Sequence, residues 1–294
     1  MKEQKQQKLD IGLLDVKRQD CLEGLKSIED NSIDLVFTSP PYADQRKGKY
    51  DSIPVDEYVD WFVPIAVEIQ RALKPSGSFF LNLSPHCEQG EKSTYVMELV
   101  IAIRDQAKLR YMDELVWYKS ANPRKWDHRL KNAWEPIYQF AKERPYINHA
   151  NIKIPTESAF VNKRGYSSYT SVTGNVGGYH EITDQGIGFT IPDNVLYFPS
   201  ALLVKDKFEH PAKFPLELAE FFVRGFCPEG GTVLDPFMGS GMVGLAALQY
   251  GRKCFGFDTE QRFVDMAYER VNSYRKPPES PKKGTVDIFA TESA

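Results

Sequence analysis

Two hydrophobic periods alternate along the chain. Short apolar runs bounded by polar, Gly or Pro residues predict buried strands at Ile33–Phe37, Ser78–Leu83, Gly231–Asp235 and Lys253–Asp258. Leu9–Lys17, ending near Asp20, and Tyr111–Tyr118 alternate enough to add two more. Between them the apolar spacing changes to that of a helix. In Asp56–Leu73 the residues Tyr58, Trp61, Phe62, Ile65, Ile69 and Leu73 mark one face, with Asp56 as the expected N-cap and Lys74-Pro75-Ser76-Gly77 as the stop. Cys21–Ile28, Thr94–Ala107, Leu216–Phe226, Ser240–Tyr250 and Thr259–Tyr274 are the other expected helices. Strand–helix–strand alternation predicts an α/β fold with a doubly wound, mainly parallel sheet.

The rhythm breaks after Lys119. Residues 145–198 are rich in Gly, Ser, Tyr, Asn and Thr, as in Gly174-Asn175-Val176-Gly177-Gly178-Tyr179, and a structureless loop of that length inside a compact domain is unusual. An inserted small domain or functional loop region is expected there. The rhythm resumes at Phe214, and the Pro-, Lys- and Ser-rich tail from Lys276 is expected to be loose.

Two strand exits carry chemistry. Thr38-Ser39-Pro40-Pro41-Tyr42 follows the strand at 33–37. Each proline fixes its own φ and pushes the preceding residue into an extended conformation, holding a hydroxyl, carbonyls and an aromatic face rigidly at a strand end. By itself this is also an ordinary Pro-rich strand exit. Asp235-Pro236-Phe237-Met238-Gly239-Ser240-Gly241 joins a strand to a helix through a glycine turn, where the backbone approaches a ligand closely and helix-start N–H groups favour negative charge. The next strand ends at Asp258, where an acid is placed to accept ribose hydroxyls. A tight turn and an acidic strand end also occur in α/β proteins without a nucleoside ligand. There is no G-x-x-x-x-G-K-[ST] phosphate loop.

Composition narrows the classes. The 294 residues, 41% hydrophobic and 26% charged, suffice for one large core or one core with an appended domain. No apolar run approaches the ~20 residues of a membrane span, and the polar start Met1–Lys8 is unlike a signal peptide. Cys21, Cys87, Cys227 and Cys254 are scattered without C-x-x-C, so neither a disulfide framework nor a zinc site is indicated and a reducing cytoplasm is expected. A net charge of −3 argues against wholesale polyanion binding, leaving nucleic-acid contact to local patches.

Together, Ser39-Pro40-Pro41-Tyr42 and Asp235–Gly241 resemble the exocyclic-amino DNA methyltransferases of restriction–modification systems, in the permuted order that places the catalytic motif before the cofactor motif. His210-Pro211-Ala212-Lys213-Phe214-Pro215 is similar to the segment flanking the cofactor's methionine, and Trp117-Tyr118-Lys119 through Trp134-Glu135-Pro136-Ile137 to the region after the catalytic domain. The resemblance implies a catalytic half at 9–144, a target-recognition region at 145–198, a cofactor-binding half at 199–275 and a flexible tail at 276–294.

It further implies S-adenosylmethionine as methyl donor, with no metal. Asp235, Pro236, Phe237, Gly239, Ser240 and Gly241 would lie against its methionine part, Asp258 on the ribose, Asp20 on the adenine amine, and Lys213 and Phe214 on the far side. Asp20 and Asp258 are equally placed to cap the helices that follow them. The acceptor amine is planar and poorly nucleophilic. The Ser39 hydroxyl and Pro40 carbonyl would localise its lone pair, Pro41 would stiffen the bracket, and Tyr42 would stack on the flipped base. No Pro-Cys dipeptide is present for ring-carbon methylation.

The partner expected is double-stranded DNA, with a cognate restriction endonuclease as a second, and a monomer or homodimer as the assembly. Lys119, Arg124, Lys125, Arg129 and Lys131, interleaved with Trp117, Trp126 and Trp134, form one basic-aromatic patch, and Arg46, Lys47 and Lys49 another. The alternative reading of such clusters is a solvated face. Ser at the first catalytic position points, by family correlation, to cytosine N4. Adenine N6 is the alternative. A nicotinamide-dependent oxidoreductase would need G-x-G-x-x-G, which 235–241 lacks, and a non-catalytic DNA-binding module would have no need for both motifs.

Overall fold

The computed structural model describes residues 9–44, 53–88, 90–119, 128, 130, 132–156, 188–198, 208 and 214–274. In chain order the elements are β1 (Leu14–Arg18), α1 (Cys21–Lys26), β2 (Ile33–Thr38), α2 (Tyr58–Ala72), β3 (Leu73–Asn82), β4 (Cys87–Glu88), β5 (Glu91–Lys92), α3 (Tyr95–Asp105), β6 (Arg110–Tyr118) and β7 (Trp134–Ala141). They continue with β8 (Ile154–Thr156), β9 (Gly188–Thr190), β10 (Val195–Tyr197), α4 (Leu216–Phe226), β11 (Thr232–Asp235), α5 (Met242–Gln249), β12 (Lys253–Asp258) and α6 (Gln261–Ser273).

One sheet of order β1-β12-β11-β2-β3-β7-β6-β10 organises residues 9–151 and 193–273, which form one compact unit. Within it β7 alone runs against the others, pairing antiparallel with β3 and β6, so the expectation of a mainly parallel sheet holds. Of a second unit, the described residues include β8 and β9, which pair with each other antiparallel.

Both faces of the sheet are covered, which is why β2 is buried at every position rather than alternating. The ring of Phe37 meets Phe222 of α4 at 4.4 Å, and Phe80 meets Phe222 and Phe226 at 4.5 and 4.6 Å. Their neighbours Val36, Phe79 and Leu81 belong instead to the cluster that holds Tyr58, Phe62, Ile65 and Ile69 of α2 and Leu99 and Ile103 of α3. Adjacent strand residues thus serve opposite layers.

The polar Asp34 inside β2 is satisfied by Lys74 Nζ at 2.7 Å and the Thr232 amide at 2.9 Å, which ties β2 to both neighbours. At the start of α2 the N-cap is Glu57, with no side-chain cap, rather than the expected Asp56. The helix is anchored instead by its apolar face. Lys74–Gly77 does end α2, but as the opening residues of β3 rather than as a loop. The first strand is shorter than expected, because Ile11–Leu13 form a 3-10 turn capped by Asp10.

Candidate active site

Parallel pairing aligns the carboxyl ends of β1, β12, β11, β2 and β3 along one edge, where ligands of doubly wound sheets bind. Reversed β7 begins at that same edge, so Trp134 and Glu135 arrive where β3 ends at Asn82. Both motifs singled out in the sequence lie here, because β2 and β11 are direct neighbours.

A buried hydrogen bond joins the two motifs. Thr38 Oγ1, at the end of β2, donates to Asp235 Oδ1, at the end of β11, at 2.6 Å. The same oxygen accepts the Phe237 amide at 3.1 Å. Burial pushes the Asp235 carboxyl up to about 7, while the two hydrogen bonds act in the opposite direction.

The glycine turn is built on β12. The Met238 amide donates to the Phe257 carbonyl at 2.9 Å, and the Gly239 amide to Asp258 Oδ2 at 3.0 Å. Gly241 caps α5 with φ +78, and a Cβ there would lie 2.6 Å from Ala267 Cα. Only glycine satisfies both the left-handed conformation and that closeness to α6. Pro236 and Ser240 are buried, and the Ser240 carbonyl accepts from Nε of the buried Arg270 at 2.6 Å. Phe237 is half-buried, its ring 5.8 Å from Trp61 and 6.3 Å from Phe62.

Asp258 also accepts the Glu260 amide at Oδ1, 2.9 Å away, and burial raises its carboxyl pKa. Asp20 is brought beside it by the Gln19 amide, which donates to the Asp258 carbonyl at 2.9 Å. Asp20 Oδ1 takes the amides of Leu22 and Glu23 at 2.9 and 3.2 Å, the capping geometry that was one of its two readings. Each carboxylate retains lone pairs beyond these bonds. Phe214 lies 5.0 Å from Phe37, while Lys213 is outside the described residues.

At the other motif Pro40 is buried and Ser39, Pro41 and Tyr42 are half-buried. The Pro41 carbonyl accepts from the buried Tyr58 hydroxyl at 2.7 Å. This clamps the bracket to α2. Tyr42 Oη lies 3.1 Å from Glu135 Oε2, 3.4 Å from Asn82 Oδ1 and 3.5 Å from Ser39 Oγ. Asn82 Nδ2 in turn donates to the Pro136 carbonyl at 3.0 Å. Burial, then the Glu135 charge, raises the Tyr42 phenol well above its ordinary range, so the hydroxyl keeps its proton.

Glu135 is held by a second partner, forming an ion pair with Lys119. Trp117 stands opposite Glu135 in the β6–β7 register, and Lys119 is two residues further along the same face, its ammonium 4.1 Å from the Trp117 ring. Lys119 therefore points into this network. Trp117, expected in a DNA-facing patch, is 2% exposed and donates Nε1 to the Phe198 carbonyl, because alternation along β6 turns it with Leu115 into the core. Trp134 is exposed. Arg46, Lys47, Lys49, Arg124, Lys125, Trp126, Arg129 and Lys131 are outside the described residues.

Sequence reasoning missed Thr38, Asn82, Tyr58 and Glu135 as neighbours of the motifs. Thr38 was signalled only by its place next to Ser39. Glu135 lay in a segment singled out by resemblance, but nothing there placed it beside Tyr42, which depends on the reversal of β7.

The fold is that of the methyltransferases. A solved structure titled PvuII DNA methyltransferase (cytosine-N4-specific) superposes with TM-score 0.63 at 24% identity, over 90% of this chain and 96% of that one. TTHA0409 of Thermus thermophilus, complexed with S-adenosyl-L-methionine, gives 0.56 at 23% identity, over 88% and 93%. The family model described as DNA methylase (N6_N4_Mtase) matches residues 33–269. The type II methyltransferase M.PvuII of Proteus hauseri is 31% identical over 275 residues, 83% of this chain and 80% of the relative. The DNA adenine methyltransferase YhdJ of Escherichia coli K12 is 26% identical over 257 residues, 86% and 81%. The chain belongs to the N6/N4 DNA methylase family and is a DNA methyltransferase.

Proposed function

We propose that this enzyme methylates the exocyclic N4 amine of cytosine in duplex DNA, with S-adenosylmethionine as donor, as the modifying partner of a restriction endonuclease. The observation that carries the reading is the side-by-side placement of the two strand exits, tied by Thr38 and Asp235. A base at Ser39–Tyr42 and a donor at Asp235–Gly241 would be neighbours.

The residues suit that donor. Three carboxylates at one sheet edge, Asp20, Asp235 and Asp258, fit a cationic nucleoside with hydroxyl and amine donors. Asp258 would accept the ribose hydroxyls, Asp20 the adenine amine through its remaining lone pairs, and Asp235 and Gly239–Gly241 would line the methionine, with Phe237 and Phe214 as apolar walls. When bound, the donor supplies an electrophilic methyl on a sulfonium.

The other half presents the nucleophile. The target base must leave the helix, since its amine is unreachable in the stack. Tyr42 supplies a face whose hydroxyl is fixed by Glu135. The Ser39 hydroxyl and Pro40 carbonyl accept the amine's two protons out of the ring plane, localising the lone pair. Residues 145–198 take the role of target-recognition region. Phosphate contacts fall to Arg46, Lys47, Lys49, Arg124, Lys125, Arg129 and Lys131, with Lys119 reserved for Glu135.

Cytosine is favoured by Ser39 at the first catalytic position and by the likeness to the cytosine-N4-specific PvuII DNA methyltransferase. Adenine N6 is the second reading, favoured by the likeness to YhdJ. Incubation with tritiated S-adenosylmethionine and DNA, then digestion to nucleosides, decides between them. Label is expected in N4-methylcytosine; label in N6-methyladenine overturns the cytosine assignment.

A further inference from the structure

We infer that Glu135 is the terminal proton acceptor of the methyl transfer, reached from the target amine through Ser39 and Tyr42. The inference rests on the placement of the target base at Ser39–Tyr42.

Every methyl transfer to an amine leaves one proton to dispose of. The nitrogen forms a bond to the methyl carbon, the carbon–sulfur bond breaks with its electrons remaining on a neutral thioether, and the nitrogen sheds a proton. Nothing at the bracket itself is a base. Ser39 Oγ, however, is 3.5 Å from Tyr42 Oη, and Tyr42 Oη is 3.1 Å from Glu135 Oε2.

The direction of this chain is fixed by chemistry. Of the two acceptors around the Tyr42 hydroxyl, Glu135 Oε2 at 3.1 Å is nearer and charged, while Asn82 Oδ1 is at 3.4 Å. The Tyr42 proton therefore points at Glu135, and its oxygen is free to accept from Ser39. The Ser39 proton then points inward, and its lone pairs face the amine. Ser39 is thereby polarised as an acceptor before the base arrives. As the nitrogen becomes acidic, its proton passes to Ser39 Oγ, that of Ser39 to Tyr42 Oη, and that of Tyr42 to Glu135 Oε2. Charge balances: the sulfonium's positive charge ends as the proton that neutralises Glu135. Both hydroxyls are restored, each with a new proton.

Lys119 completes the device. Its ammonium, paired with Glu135 and resting over the Trp117 ring, holds the carboxylate in place beside Tyr42. Glu135 and Lys119 have side-chain exposures of 19% and 26%, so both are sheltered without being sealed from solvent.

The test is the single-turnover rate of methyl transfer with saturating S-adenosylmethionine and target DNA, for the full chain. Glu135→Gln preserves shape and an acceptor for Tyr42 but cannot take the proton. Its rate is expected to fall about 100-fold, the scale of a lost proton-transfer group, with unchanged Kd for S-adenosylmethionine. Tyr42→Phe keeps the ring but breaks the relay, and should cost a similar factor. The double variant should cost no more than the worse single one. Glu135→Asp should recover part of the loss. A Glu135→Gln rate within threefold of wild type overturns the inference, as do multiplicative losses in the double variant. Failure of the underlying reading looks different: wild-type protein then leaves no tritium in DNA, or Ser39→Ala retains full activity.

Discussion

At the scale of single residues, Asp235 is the most informative side chain. It is 2% exposed, yet holds a carboxyl whose pKa burial lifts from 3.8 to about 7. Because the folded value lies above the unfolded one, the folded state retains a proton that the unfolded state has already lost at intermediate pH. Its contribution therefore favours the fold at low pH and fades as pH rises from about 4 to about 7. Asp235→Asn removes the titration and keeps an acceptor for Thr38. Wild-type stability measured against that variant should fall across this window by at most roughly 4 kcal/mol. Urea midpoints at pH 5 and pH 8 check this, and a difference that does not change with pH would contradict the burial of an ionisable group there. The Asp–Pro–Phe stretch was legible in the sequence as a strand exit. Its buried partner was not, since Thr38 lies 197 positions away and forms no local pattern with it.

Among the elements, α5 depends on its first residue. Gly241 has a left-handed backbone and closes on Ala267 of α6. Gly241→Ala forces either α5 or α6 to move, and a strained site of this kind costs on the order of 1–3 kcal/mol. Calorimetry should show weakened S-adenosylmethionine binding together with a lower Tm; unchanged binding would detach the turn from the donor. The elements were largely legible because period-2 and period-3.6 patterns are local and strong here, as in α2 with Tyr58, Phe62, Ile65 and Ile69 on one buried face. Boundaries failed where a competing local interaction intervened, as with Asp10 capping a 3-10 turn ahead of β1. Strand β7 was missed altogether, since Trp134–Ala141 was assigned no element, and nothing local marks the antiparallel direction in which it pairs. That reversal is what carries Glu135 to Tyr42.

For the whole molecule, parallel neighbours drawn from the two ends of the chain make one ligand-binding edge, so a donor bound there should stabilise the fold globally. At 100 times its Kd, S-adenosylmethionine should add about 2.7 kcal/mol and raise Tm by roughly 5 °C. NAD should leave it unchanged. A thermal shift with NAD and none with S-adenosylmethionine would detach this edge from the donor.

The neighbouring of β2 and β11 also bears on biosynthesis. Until Asp235 has been made, one side of β2 has no strand to pair with, although its other neighbour β3 follows directly. At about 5–20 residues per second a ribosome takes roughly 10–40 s to travel from Thr38 to Asp235, 197 positions on. Throughout that interval the nascent chain presents an open β-edge of apolar residues, the surface most prone to pair with another chain. This protein should therefore be a client of ribosome-associated chaperones, and premature truncation before β11 should yield aggregates rather than a half-active enzyme.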